Sequence, residues 1–149
     1  MNLEFDFRLY NEVLDTPLSE EELAVINNLN VDFAQRLGLV LDYCSKERMD
    51  AHLVATEEHL QPTGIVNGGV YCAIGETMGS IAAVAASAKP AVGMSNSTDL
   101  LGSVRAGQRI DATAEPIHIG ARTHLWRVNM YCEERLVAVT NLKLMILSK

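Results

Sequence analysis

Charge is missing where the sequence is most apolar. Between residues 59 and 88 Glu76 is the only formally charged side chain, although charged residues make up 21% of the whole chain. Cysteine is also scarce: Cys44, Cys72 and Cys132 are odd in number, far apart and without a CxxC pair. That pattern offers no disulfide framework and fits free thiols in a reducing cytoplasm, with Cys72 read as a small core residue. Positive charge is outnumbered, with 12 Lys and Arg against 19 Asp and Glu and a net charge of −7. The basic residues are scattered, so no basic face exists to neutralise a nucleic-acid backbone, and nucleic acid is excluded as a partner.

Other absences narrow the reading further. The opening residues, MNLEFDFRLYNEVLD, are acidic where a secretion signal would be basic and then apolar, so export is not indicated and a cytoplasmic location is expected. There is no GxGxxG, no P-loop, no internal repeat and no low-complexity linker. His52, His59, His118 and His124 show no metal-ligand spacing such as HExxH, and neither a metal nor a cofactor is expected. Trp126 alternates with Leu125 and Arg127 and reads as a packing residue. At 149 residues with 48% hydrophobic content, the chain forms one domain and buries about 70% of its unfolded surface, enough for a core without staples.

What is present is an ordered run of elements. Ser19 followed by Glu20, Glu21 and Glu22 predicts the start of a short N-terminal helix. Two strands are expected around the polar turn 45–48, and Pro62 with Gly64 breaks the chain before a long helix over 68–87. Lys89-Pro90 ends that helix, and four strands follow over 91–100, 108–118, 123–132 and 136–147. This order predicts an α+β domain whose antiparallel sheet wraps a central helix.

The long helix has almost no polar face. A membrane span is rejected because Glu76 would sit near its middle, at a cost of about 2.5 to 3.5 kcal/mol. A buried helix of this kind has to be covered on all sides. Gly75 and Gly79 admit a close second backbone, which predicts helix-to-helix contact across a two-fold dimer; packing of both glycines against the sheet is the alternative.

A lone carboxylate in such a helix is either structurally satisfied or kept for chemistry, since burying it unpaired costs several kcal/mol. Asn67 can cap the helix, leaving Gly68 and Gly69 to present bare N–H groups where the helix dipole favours negative charge, a potential oxyanion site. Gly68 and Glu76 are eight positions apart, so about 12 Å of helix rise separates them. One chain cannot bring both to one carbonyl, whereas antiparallel helices in a two-fold dimer can. Gln61, in the loop before the helix, could hydrogen-bond the same carbonyl, and Ser80, four residues after Glu76, could place a water.

The run QPTGIVNGGVYCAIGETMGS resembles the active-site region of hotdog-fold acyl-CoA thioesterases of the 4-hydroxybenzoyl-CoA and phenylacetate-pathway type. That family has a Gln-Pro loop, His-Gly-Gly, and an Asp or Glu on the following helix. The resemblance continues more weakly through GSVRAGQRIDATAEPIHIGARTHLWRVNMY and extends over about residues 36–147. It implies a hotdog domain over 36–149, preceded by an N-terminal extension over 1–35 with a short helix. It further implies that Glu76 is nucleophile or general base, that the Gly68 amide polarises the thioester carbonyl with Gln61, and that Ser80 helps place the water. Gly69, Thr77 and Arg122 would then contact the substrate or coenzyme A. The implied partners are an acyl-CoA and further copies of the chain, as a homodimer or homotetramer.

Two departures accompany the match. Asn67 stands where the family commonly has His, which removes a group able to titrate near neutral pH. Ala121 stands where an Arg often occurs, with Arg122 beside it. The first departure keeps a non-catalytic acyl-CoA binding or sensing protein as the second reading. A hotdog dehydratase is the third.

Overall fold

The computed structural model describes residues 7–148, and its sheet grows from segments in which buried and exposed side chains alternate. The strands are β1 (Val40–Cys44), β2 (Met49–Val54), β3 (Ala91–Leu100), β4 (Arg109–Ile119), β5 (Thr123–Cys132) and β6 (Arg135–Ile146). On β5, His124, Trp126, Val128, Met130 and Cys132 point inward at every second position, as the period of a half-buried strand requires. The strands form one sheet of 6 in the order β1-β2-β4-β5-β6-β3, every neighbouring pair antiparallel.

The sheet wraps the helix α4 (Gly68–Ser87), which packs against β2 through β6. Its N-terminus is set by Asn67, whose Oδ1 accepts from the Gly69 N–H at 2.8 Å. Its C-terminus is set by Ala88, which turns left-handed with φ 54°, after which Pro90 cannot continue a helix. Val70, Tyr71, Ile74, Met78, Ala82 and Ala85 are buried. By length and composition α4 could cross a bilayer, but here it is the core helix of a sheet-wrapped domain.

Gly75 and Gly79 do admit a close neighbour, and that neighbour is β6. A methyl group on Gly75 would overlap the Thr140 side chain, and one on Gly79 would come 2.5 Å from Leu142 Cδ2. The expected helix-to-helix seam through these glycines is therefore corrected: they let the helix lie down on its own sheet. Nor is α4 covered on every side. Gly69 and Cys72 are exposed and Ala73, Glu76 and Ser80 half-buried, so Cys72 is a surface thiol and not the core residue expected.

The residues before the sheet form three short helices where one was expected: α1 (Arg8–Asn11), α2 (Glu20–Asn27) and α3 (Phe33–Leu37). The N-terminus of α2 carries a capping box in which Ser19 Oγ accepts from the Glu22 N–H and Glu22 accepts from the Ser19 N–H. Arg8 then clamps Glu22 through Nε at 2.7 Å and Nη2 at 2.9 Å. α1 and α3 rest on α4, and α2 rests on β1. The first six residues of the expected extension over 1–35 lie outside the described residues.

Candidate active site

The loop before α4 is held from both ends. Ala55 N donates to Gln108 O at 2.8 Å and Val66 N to Val104 O at 2.8 Å, which moors the segment to the strand-connecting loop beside it. His59, buried, accepts from the Thr56 N–H at Nδ1 (2.9 Å) and lies 2.6 Å from Leu37 O through Nε2, while its own carbonyl accepts from the Asn67 N–H at 2.9 Å. This histidine is a structural tie between α3 and the helix cap. Between those anchors the chain turns through Gly64, whose φ of 81° favours glycine.

Gln61 and the α4 N-terminus thus sit at the two ends of one tight loop. The Gln61 side chain is half-buried and donates from Nε2 to Thr63 Oγ1 at 2.7 Å. Asn67 is exposed and occupied as the cap. Gly68 is half-buried with the Leu100 side chain against it, and its N–H has no partner among the described residues, which makes it the first free donor of a 20-residue helix.

Glu76 is two turns further along and half-buried. It forms no ion pair among the described residues. Its carboxylate leans over β3, where Gly93 leaves the room: a methyl group there would lie 3.1 Å from Glu76 Cδ. Asn96 Nδ2 donates to Glu76 Oε2 at 3.3 Å and to the Cys72 carbonyl at 3.0 Å.

Gly68 and Glu76 remain on one helix about 12 Å apart along its axis, so the structure does not bring them together within a chain. Ser80 makes no hydrogen bond to Glu76 among the described residues and lines a crevice with Leu9, Tyr10, Ile81 and Val84. Thr77 faces a cavity of about 60 Å³ under the N-terminal helices, beside Leu9, Ile26, Leu39 and Ile81. Arg122 is exposed on a crevice of about 620 Å³ near the C-terminal end of α4, shared with Lys89, Ala121, Thr123, Met145 and Leu147.

Gly93, Asn96, Lys89 and His59 were not singled out for the site from the sequence. The signal available for the first two was the run GMSNSTD inside a strand candidate: seven residues with one large apolar side chain are ill-suited to an ordinary core strand.

Comparison with known proteins gives the same frame. The family model described as the thioesterase superfamily matches residues 63–139, which spans the end of the loop, α4, β3, β4, β5 and the start of β6. Rv1847 of Mycobacterium tuberculosis is 38% identical over 117 residues, 74% of this chain and 83% of that protein. Its solved structure superposes with a TM-score of 0.76, covering 78% of this chain and 97% of that one. A 1,4-dihydroxy-2-naphthoyl-CoA hydrolase of Listeria monocytogenes is 31% identical over 119 residues, 77% of this chain and 95% of that protein. The thioesterase HI1161 of Haemophilus influenzae is 25% identical with a TM-score of 0.79, covering 92% of this chain and 96% of that one. The sheet-wrapped helix, the cap loop and these matches together establish that the chain belongs to the thioesterase superfamily, with the hotdog fold and thioester-hydrolase class of that family.

Proposed function

We propose that the chain hydrolyses a coenzyme A thioester to the free acid and coenzyme A in a site shared by two copies of the chain. Glu76 of one copy takes a proton from water as it adds to the thioester carbon, or attacks that carbon itself. The Gly68 N–H of the other copy, helped by Gln61, receives the developing oxyanion. On the general-base route the intermediate collapses with loss of the thiolate, which takes up the proton and leaves as the free thiol. On the nucleophilic route it collapses to a mixed anhydride with Glu76 and thiolate, and water then cleaves the anhydride, releasing the free acid, restoring the Glu76 carboxylate and supplying the proton to the thiolate. Asn67 shapes the helix end without titrating, and Ser80, on the helix face that Glu76 shares, has room beside it for a water. Gly69 lies open beside the carbonyl site, and Thr77 faces toward the acyl side. Arg122, with Lys89 across the same crevice, offers positive charge to the nucleotide phosphates.

The observation that carries this reading is Glu76 itself: a carboxylate on the core helix with no counter-ion among the described residues, turned toward an uncovered edge of the sheet. A buried structural carboxylate would be expected to hold a cation. The test is thiol release from a panel of aryl and aliphatic acyl-CoAs, aryl first because the Listeria relative is named for an aryl thioester. Glu76→Ala is expected to lower turnover by about 10² to 10⁴-fold, the range for loss of a positioned acid or base. Unchanged hydrolysis of every accepted thioester would remove Glu76 from the reaction, and binding without turnover by the native chain would point to acyl-CoA sensing instead.

A further inference from the structure

We infer that Asn96 is a positioning residue for Glu76, aimed by Thr98 and Thr140, and that this relay sets the carboxylate for attack. The inference rests on the proposed role of Glu76. Its residues come from three elements: α4 supplies Glu76 and Gly75, β3 supplies Gly93, Asn96 and Thr98, and β6 supplies Thr140.

The direction of every hydrogen bond follows from the chemistry of the groups. Thr98 Oγ1 donates to Asn96 Oδ1 at 2.7 Å, so the amide oxygen is spoken for and Nδ2 must be the atom facing Glu76 Oε2 and the Cys72 carbonyl. Thr98 Oγ1 also lies 2.7 Å from Thr140 Oγ1. Having given its one proton to Asn96, Thr98 accepts there, and Thr140 donates. Thr140 is fully buried, seated against the bare Gly75, so it is an immobile starting point. Asn96 therefore has one amide orientation, with both its Nδ2 acceptors on α4.

Strand geometry shows that the arrangement depends on a specific irregularity. Gly93 and Asn96 both face Glu76, yet positions three apart on a regular strand face opposite sides. The register of β3 against β6 shifts between Gly93 and Ser95, a bulge at Met94 that returns Asn96 and Thr98 to the helix side. Without it Asn96 would point away from α4.

The chemical sense of the relay lies in what it does not do. A Lys or Arg in this place would neutralise the carboxylate and blunt it as base or nucleophile. A neutral amide holds Oε2 in one orientation while leaving the negative charge, and it removes rotamer freedom that a free Glu side chain would have to lose during reaction. Oε1, over Gly93, accepts no hydrogen bond among the described residues and is the oxygen left for the proton or the carbonyl.

The test is steady-state thiol release with the best acyl-CoA of the panel, comparing the native chain with Glu76→Ala, Asn96→Ala, Thr98→Val and Thr98→Ser, each checked for folding by circular dichroism and for assembly by mass. Asn96→Ala is expected to lower kcat about tenfold or more with KM little changed, the effect of losing one hydrogen bond to a charged group. Thr98→Val is expected to lower kcat in the same sense, and Thr98→Ser, which keeps the hydroxyl, to restore most of it. A merely structural role would move KM or the melting temperature and would not distinguish Val from Ser through kcat. Loss of turnover in Glu76→Ala alongside native kcat in Asn96→Ala and Thr98→Val overturns this inference alone. Native turnover in Glu76→Ala overturns the proposed role of Glu76 and this inference with it.

Discussion

At the scale of single residues, Gly75 bears on stability through the buried Thr140 that it lies against. Gly75→Ala adds helix propensity worth up to about 1 kcal/mol, against overpacking of about 1 to 3 kcal/mol where the methyl meets Thr140. The balance is a loss, and calorimetry is expected to show a lower melting temperature with the association constant of the chain unchanged. A shift in association with native thermal stability would return Gly75 to a subunit seam. Gly75 was legible in the sequence as a site of close approach but not for its neighbour, since a glycine says only that something is near. Residues that act locally were easier to read: Glu76 stood out as the lone charge in its surroundings, Asn67 as a helix cap, and Gly68 as the donor such a cap leaves free. Asn96 did not stand out, because its link to Glu76 spans 20 positions and depends on a bulge that no periodicity announces.

At the scale of elements, the bounds of α4 were readable because both its ends carry local chemistry, an Asn cap and a Lys-Pro stop. β4, β5 and β6 were readable from β-branched and aromatic residues and β3 from the Lys-Pro stop before it, each observed limit falling within about a residue of expectation. α1 and α3 were not, because four and five residues are too few to show a helical period. α1, which rests on α4 through buried Leu9, is also tied to α2 by the Arg8 clamp on Glu22, and that clamp should be visible in pH. The hydrogen bond from Arg8, and next the Ser19 N–H, lower the Glu22 carboxyl from 4.5 to about 2. A carboxyl depressed in the folded state stabilises fully above its unfolded value near 4.5 and loses that contribution as pH falls toward 2. Glu22→Gln is therefore expected to melt below the native chain at pH 6 to 7, with the gap closing on acidification. The pair is partly exposed, so the gap should be small and should shrink with salt. A gap independent of pH would mean that capping geometry, not charge, sets it.

At the scale of the whole molecule, the described chain looks unfinished along β3. Among the described residues that strand pairs with β6 on one side and with nothing on the other, and Val92, Met94, Leu100 and the following Leu101 stand 46%, 52%, 57% and 58% exposed. A ten-residue uncovered edge beside apolar surface invites pairing with another strand. Self-pairing of β3 about a two-fold axis would join two sheets into one, run the two α4 helices antiparallel, and bring the Gly68 end of one toward Glu76 of the other. The sequence pointed to a dimer through helix length and looked for the contact at Gly75 and Gly79, which lie against β6 instead; an edge strand such as β3 is recognisable only once the strand order is known. Were the whole of β3 to pair with itself, the axis would fall between Ser95 and Asn96, and Met94 would stand opposite Ser97 of the other copy. Met94→Lys would then place a charge within the seam, a device by which edge strands resist pairing, and weaken the dimer. The expected result by analytical ultracentrifugation is a shift from dimer or tetramer toward monomer. Specific activity should fall in parallel and recover as enzyme concentration rises, because association rebuilds the site. A monomeric Met94→Lys chain with native activity at every concentration would show that one copy suffices, and the 12 Å between Gly68 and Glu76 would then demand a different carbonyl site.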